Sequence, residues 1–101
     1  MTKDEIKRRF AEHCPFPEGL GGEEINGVEV VMVDTYSAGL IHAYLHSKTG
    51  LDQSQYELLL EIWNDLNKII DDIPAHGKAY FKARYEIVEE ILRLSKENNK
   101  G

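Results

Sequence analysis

Residues 51–98 read LDQSQYELLLEIWNDLNKIIDDIPAHGKAYFKARYEIVEEILRLSKEN, and this stretch decides the fold. Apolar residues recur at intervals of three and four on both sides of a short break at residues 74–77. Such spacing places apolar side chains on one face of an α-helix, whereas the proline and glycine of the break interrupt a helix. The stretch therefore predicts two long amphipathic helices, at residues 52–73 and 76–97, that fold back on each other as an antiparallel pair.

The first helix of this pair begins at a clear start signal. Asp52 and Gln55 occupy the N-cap and N3 positions of a capping box, in which two backbone amides are satisfied reciprocally. Apolar residues then follow in the spacing of a coiled-coil seam. The seam residues are Tyr56, Leu59, Trp63, Leu66, Ile70 and Ile73. The last helix carries two adjacent apolar stripes, and we expect any part of them that the core does not cover to form an interface.

The N-terminal part of the chain predicts a short helix and a loop. Thr2 and Glu5 form a second capping box, which favours a helix within residues 1–13. Residues 14–24 hold two prolines and three glycines, so we expect an irregular loop there.

A hairpin signal follows the loop. Asn26 and Gly27 both tolerate positive φ, and this pair is typical of a tight β-turn. The run VEVVMV after the turn is β-branched and mostly apolar, which favours a buried strand. We therefore interpret residues 25–34 as a hairpin and strand, and residues 36–49 as the next helix. The candidate cap residues of that helix are Asp34, Thr35 and Ser37.

These elements together predict one domain over residues 1–101. Its class is α+β and predominantly helical, with three to four helices in a small bundle and one short β-hairpin. A chain of 101 residues is long enough to bury one core without disulfides or metals.

Charge and composition exclude several function classes. The net charge is −6, so the chain should repel phosphate backbones, and we expect no nucleic-acid partner. No apolar run approaches the roughly 20 residues of a membrane span, so we expect no membrane association. A single cysteine suits a reducing compartment, and a cytoplasmic location is expected. Nucleotide-binding and other cofactor motifs are missing, so we expect no cofactor.

Two histidines form the candidate metal site. His42 and His46 stand four residues apart on the predicted helix, which places both imidazoles on one face, as a divalent metal needs. A third ligand would have to come from His13, His76 or an acidic residue. Alternatively, both histidines lie at the boundary between the buried face and water.

The turn between the two long helices is the second candidate site. Acidic residues crowd the end of the first helix and basic residues crowd the start of the second, against the preference of each helix dipole. The two clusters either neutralise each other across the turn or form a corner that receives a ligand. The acidic residues are Asp65, Asp71 and Asp72. The possible ligand or interface residues are His76, Lys78, Lys82 and Arg84.

No catalytic residue emerges from the sequence. Cys14 follows His13 directly, but adjacent residues rarely adopt nucleophile–base geometry, and no orienting residue is identifiable. The favoured hypothesis is a small acidic, non-enzymatic protein-interaction or regulatory domain that binds a protein partner or self-associates, with a homodimer as one form. The alternative is a small metal-binding or hydrolytic module that uses His42 and His46.

Overall fold

The computed structural model describes residues 1–13 and 16–98, so the role considered for Cys14 lies outside the described residues. Four helices and a two-stranded antiparallel hairpin make up this part of the chain, which confirms the predominantly helical α+β class. The elements in order are α1 (Lys3–Ala11), β1 (Glu24–Ile25), β2 (Val28–Glu29), α2 (Val30–His46), α3 (Gln53–Ile69) and α4 (Ala75–Asn98).

The antiparallel pair predicted from residues 51–98 is present as α3 and α4. At the start of α3, the Gln55 amide donates to the Asp52 carboxylate at 2.8 Å, and the Asp52 amide donates to the Gln55 side chain at 3.0 Å. The helix ends at Ile69, earlier than the predicted residue 73, because residues 70–73 turn ahead of Pro74. Ile73 is buried within this turn.

Only some residues of the seam predicted for α3 are buried in the core. The buried stripe of α3 is Leu59, Ile62, Leu66 and Ile69, continued by Ile73 in the turn. The other three seam residues are only half-buried, because the helix is rotated so that they lie along its outer edge toward α4. These three residues are Tyr56, Trp63 and Ile70. The rotation leaves these residues as an apolar stripe at the margin of the core.

The strand predicted over residues 25–34 is wrong beyond its first residues. The hairpin pairs Glu24 with Glu29 and Ile25 with Val28 across the predicted turn, where Asn26 has φ 52° and Gly27 has φ 82°. The chain then enters α2 at residue 30, so the helix begins six residues before the predicted start at residue 36.

Burial explains why the β-branched run is helical. Val30, Val33, Ser37 and Leu40 are buried at helical intervals, whereas Met32 is exposed. Helix and strand propensities differ by only about 1 kcal/mol per residue, so packing against α3 and α4 overrides them. The three candidate cap residues therefore lie inside α2, and Glu29 occupies the N-cap without a side-chain hydrogen bond. Within the described residues, no helix has both the length and the apolar character that a bilayer span requires.

Candidate functional site

A buried arginine joins α4 to α2. Arg84 is only 3 % exposed, and its guanidinium donates to the Asp34 carbonyl at 2.8 Å and to the Ser37 hydroxyl at 2.7 Å. The Asp34 carboxylate lies 3.2 Å from the same guanidinium, and Tyr80 accepts a hydrogen bond from it at 3.0 Å. The Tyr80 hydroxyl in turn donates to the Asp34 carboxylate. Arg84 also lies over the Phe10 ring, with 5.5 Å to its centroid, so the cluster reaches α1.

This buried cluster stabilises the fold and offers no reactive group. Burial and the hydrogen bond to Asp34 raise the pKa of Tyr80 to about 12, which keeps the phenol protonated. Ser37 accepts from Arg84 and donates to the Asp34 carbonyl, so no base activates its hydroxyl. Arg84, which the sequence predicted as a possible ligand or interface residue, therefore has its side chain buried on the core side of α4.

The two histidines of the candidate metal site lie side by side on the exposed face of α2. The ring centroids of His42 and His46 are 4.0 Å apart, and His46 Nδ1 lies 3.0 Å from the His42 carbonyl oxygen. Across residues 1–13 and 16–98, no group of three or more His, Cys, Asp or Glu side chains could hold a metal ion. His13 instead stacks on Tyr80. The pair supplies two ligands of the four that zinc takes, and metal binding at this position stays a prediction.

The predicted ligand corner at the α3–α4 turn does not assemble. His76 is drawn to the loop before β1, where its Nε2 lies 2.9 Å from the Glu18 carbonyl oxygen. Asp72 accepts a hydrogen bond from Asn26 at 2.6 Å. Among the described residues, no ion pair within 4.0 Å joins the acidic cluster to Lys78 or Lys82. Within the described residues, the acidic and basic clusters therefore do not neutralise each other through direct ion pairs across the turn. Both lysines are exposed.

A cleft between α1 and α4 encloses about 370 Å³, but its charges are balanced. Arg8 pairs with Glu12 at 3.3 Å, and Arg9 approaches Glu86 at 4.0 Å. The His13 ring closes the inner wall by stacking on Tyr80 at a centroid distance of 4.2 Å. Burial, and then the nearby Arg84 charge, lower the pKa of His13, so its neutral form packs in the wall. This cleft presents paired ions and a packed ring, not an open site.

The most distinctive surface is a long groove on the outer side of α3 and α4, which we call the α3–α4 groove. It consists of two adjoining clefts of about 460 and 190 Å³ that share Glu89. The α3 row is Tyr56, Leu60 and Trp63, and Ile70 continues it at the C-cap of the helix. The α4 row is Lys78, Lys82, Tyr85, Glu89, Leu92 and Lys96. Both rows repeat at intervals of three and four, or their sum, so each is a straight stripe along its helix.

The middle of the groove is an aromatic shelf. The rings of Trp63 and Tyr85 stack at a centroid distance of 5.9 Å with 23° between their planes. The Trp63 indole donates to the Glu89 carboxylate at 3.3 Å, which fixes the ring against α4. Burial, and then the Glu89 carboxylate, raise the pKa of Tyr85. A rigid, half-buried pair of large rings with polar edges is the kind of surface that concentrates binding energy in protein interfaces.

Two exposed leucines of α3 differ in their position relative to the groove. Leu60 lines it and is 39 % exposed, whereas Leu58, two residues earlier, is 43 % exposed and does not line it. Leu58 lies one helical turn from Ile62, which lines a smaller cleft of about 220 Å³ with Met32 and Tyr36. Within the described part of the chain, exposed apolar side chains thus lie on two sides of α3, and the groove is the longer of these two surfaces.

The groove includes residues for which the sequence predicts a ligand or an interface. Lys78 and Lys82 were expected to be ligand or interface residues, and the apolar surplus of the last helix was expected to form an interface. Leu60 was expected to widen the apolar seam of this helix, and its spacing from Tyr56 and Trp63 is the signal that places it on the groove side of α3. Comparison with known proteins adds no relative: no family model, no curated protein and no solved structure matches this chain.

Proposed function

We propose that this chain is a non-enzymatic protein-interaction domain, and that its α3–α4 groove receives one amphipathic helix of a partner protein. The observation that carries the proposal is the apolar row of α3, half-buried at Tyr56 and Trp63 and exposed at Leu60, which lies alongside a mixed polar and apolar row of α4 with the same helical spacing. A groove of this kind is the usual receptor in helix-in-groove recognition, where the ligand presents anchors at i, i+3 or i+4, and i+7.

The spacing of the groove favours a helix over an extended peptide. Two antiparallel helices whose exposed residues repeat at intervals of three and four leave a furrow into which the ridges of a third helix pack. Lys78 and Lys96 mark the ends of the α4 row, 18 residues apart. At 1.5 Å per residue this row is about 27 Å long, which matches a partner helix of roughly 18 residues.

The aromatic shelf supplies the anchor point. Trp63 and Tyr85 hold one another by stacking, and Glu89 orients the indole, so little side-chain entropy would be lost when a partner binds. Leu60 and Leu92 extend the apolar surface beyond the shelf. Leu60 is 39 % exposed and would gain about 1 kcal/mol or more if a partner covered its exposed part, whereas Leu92 is 8 % exposed and is already held in the core.

Trp63 is also the natural reporter, because it is the single tryptophan of the chain. The test selects binders from a displayed library of amphipathic helical peptides and then titrates each one against the folded protein. Covering the indole should move its emission to shorter wavelength. We expect Leu60→Glu to weaken binding at least about 10-fold, since it places a charge on an apolar contact worth more than 1.4 kcal/mol.

Leu58→Glu is the matched control, because it changes an equally exposed leucine on the same helix outside the groove. The proposal fails if selected peptides bind without affecting Trp63, or if Leu58→Glu abolishes binding while Leu60→Glu does not. Light scattering of the free protein tests whether a second copy of this chain occupies the groove instead of a partner helix. A dimer that Leu60→Glu dissociates would make a second copy, not a partner helix, the ligand of the groove.

A further inference from the structure

We infer that the exposed side of α2, which we call the α2 face, is the contact surface of a weak homodimer. The two α2 helices run antiparallel and cross at Gly39, so the two-fold axis of the dimer passes between the Gly39 residues of the two copies. The residues of this face do not line the α3–α4 groove. The inference is therefore independent of the partner helix proposed for the groove.

The α2 face lacks the charges that cover the other helices. Its exposed residues recur at helical intervals and are Met32, Thr35, Tyr36, Gly39, His42 and His46. The only Asp, Glu, Lys or Arg residue within α2 is Asp34, and its carboxylate is paired with Arg84. A helix without a charged side is typical of one that is covered all round, yet this side of α2 is uncovered in the single chain.

Gly39 lies at the centre of the α2 face, and nothing in one copy requires a glycine there. Its φ is not positive, and an added Cβ would meet no surrounding atom within 4 Å. Glycine inside a helix lowers stability relative to alanine. A second helix supplies the missing reason, because the axes of two helices that cross at a residue without a side chain can approach to about 8 Å.

The α2 face is complementary to itself around Gly39. Antiparallel crossing brings residues that are equally far before and after Gly39 opposite each other, and the two-fold axis makes each contact twice. Tyr36 then lies over the partner's His42, and Met32 lies over the partner's His46. Contacts between two aromatic rings and between a thioether and a ring are both favourable.

The charged residues at the two ends of the α2 face also match in this arrangement. Glu29 precedes α2 and Lys48 follows it, and both are exposed. Across residues 1–13 and 16–98, neither forms an ion pair within 4.0 Å. The 17 residues of α2 span about 25 Å, so these two side chains cannot meet within one copy. Antiparallel crossing places Glu29 of each copy beside the partner's Lys48, which favours this orientation over the parallel one.

The available area suits a weak dimer. Three of the four large apolar side chains exposed in the described part of the chain lie on this side of the molecule, namely Met32, Tyr36 and Leu58. Two adjoining helices, α2 and α3, each about 10 Å wide and 25 Å long, present roughly 500 Å² per copy. The total of about 1,000 Å² is the lower limit for a specific interface. The net charge of −6 on each copy opposes association further, so we expect a dissociation constant in the micromolar range.

Sedimentation velocity from about 5 to 500 µM protein brackets the expected dissociation constant. The buffer contains EDTA, so that no metal ion joins histidines of two copies. Tyr36→Glu should weaken the dimer at least about 10-fold, because it places a charge in an apolar contact. Leu60→Glu is the matched control: it adds the same charge at an exposed position in the α3–α4 groove and should leave the dimer intact.

A charge swap tests the antiparallel orientation. Glu29→Lys should weaken the dimer about 10-fold, because it turns two attractive contacts into repulsive ones. Adding Lys48→Glu to the same chain should restore the affinity to within about threefold, since the two ends then attract again with the signs exchanged. Glu18→Lys changes the net charge by the same amount at an exposed loop position and should not weaken the dimer.

Gly39→Gln separates the interface from the fold. Glutamine is a good helix former and has open space at this position, so the thermal midpoint of the monomer should rise. The longer side chain should keep the two helices apart and weaken the dimer at least about 10-fold. A residue that only supported the fold would not change stability and association in opposite directions.

The outcomes distinguish this inference from the proposed function. A protein that stays monomeric over the whole concentration range would overturn the inference, and so would a dimer that Leu60→Glu dissociates and Tyr36→Glu does not. A charge swap that fails to restore the affinity would overturn the antiparallel crossing at Gly39. Selected helices should still bind the Tyr36→Glu variant through the α3–α4 groove, so the groove is tested separately.

Discussion

Replacing Arg84 with methionine should destabilise the protein far more than any surface substitution. The guanidinium is 3 % exposed and donates to the Asp34 carbonyl, the Ser37 hydroxyl and the Tyr80 hydroxyl. Methionine keeps most of the apolar stem but leaves these acceptors and the Asp34 carboxylate without their cation. Removing one partner of a buried ion pair costs about 3–5 kcal/mol. The Asp34 side chain is 19 % exposed and still accepts the hydrogen bond from the Tyr80 hydroxyl. We therefore expect a loss in the free energy of unfolding at the lower end of this range, about 3 kcal/mol.

Urea denaturation followed by circular dichroism measures this cost in a double-mutant cycle. The cycle compares the wild type, Arg84→Met, Asp34→Asn and the double variant. Asparagine preserves the shape of Asp34 and an acceptor for Tyr80 but removes the charge. The double variant should lose about 1–3 kcal/mol less than the two single losses together, because the residues interact directly.

An exposed pair supplies the control for this cycle. Arg8→Met removes a cation that is 58 % exposed and pairs with Glu12, and the expected loss is below about 1 kcal/mol. The account of the buried cluster would be refuted if Arg84→Met cost no more than Arg8→Met. It would equally be refuted if the effects of Arg84→Met and Asp34→Asn were additive within about 0.5 kcal/mol.

Three further stability predictions concern the same core. Tyr80 holds its proton to about pH 12 when folded, whereas an unfolded tyrosine releases it near pH 10, so stability should fall between these values; Tyr80→Phe should flatten that decline in denaturant titrations. The lowered pKa of His13 means that the unfolded chain binds the proton more readily, so stability should fall as the pH drops below about 6.5. His13→Phe keeps the stack on Tyr80 and should reduce this loss; an unchanged pH slope would contradict the assignment. Leu59→Ala should lower the free energy of unfolding by about 2–5 kcal/mol because Leu59 is fully buried, whereas Leu60→Ala should lower it much less. If urea denaturation gave similar losses for the two variants, the placement of Leu60 in the groove would be refuted.

Local signals explain why the helical pair could be predicted. The capping box of Asp52 and Gln55 and the interruption at Pro74 depend on residues within a few positions of one another. The turn at Asn26 and Gly27 was predictable for the same reason, because positive φ is a property of the residues themselves. None of these features needs information about distant parts of the chain.

The run at residues 28–33 was misassigned because β-branching is a weak preference. Both a buried strand and a buried helix contain adjacent apolar residues, and a six-residue run is too short to separate the two periods. The exposure of Met32 next to buried Val33 depends on where α3 and α4 lie, and the run alone does not contain that information.

The groove and the buried arginine required the tertiary structure for a similar reason. The seam containing Tyr56, Trp63 and Ile70 was assigned to the core, but a modest rotation of α3 places these residues at its outer edge. Arg84 interacts with Asp34, which is 50 residues away, so no local pattern pairs them. One signal was present: Arg84 continues the core spacing that begins at Phe81. An arginine at a core position indicates a buried acidic partner.

Chemical-shift mapping in ¹H–¹⁵N spectra tests the central claim most directly, with the selected amphipathic helix added to the labelled protein. The single indole N–H of Trp63 reports the groove, and the backbone amides report both faces of α3. We predict the largest shifts at the Trp63 indole and at Leu60 and Tyr85. Shifts confined to Met32, Tyr36 and Leu58, with the indole signal unmoved, would contradict the assignment of the α3–α4 groove as the binding site.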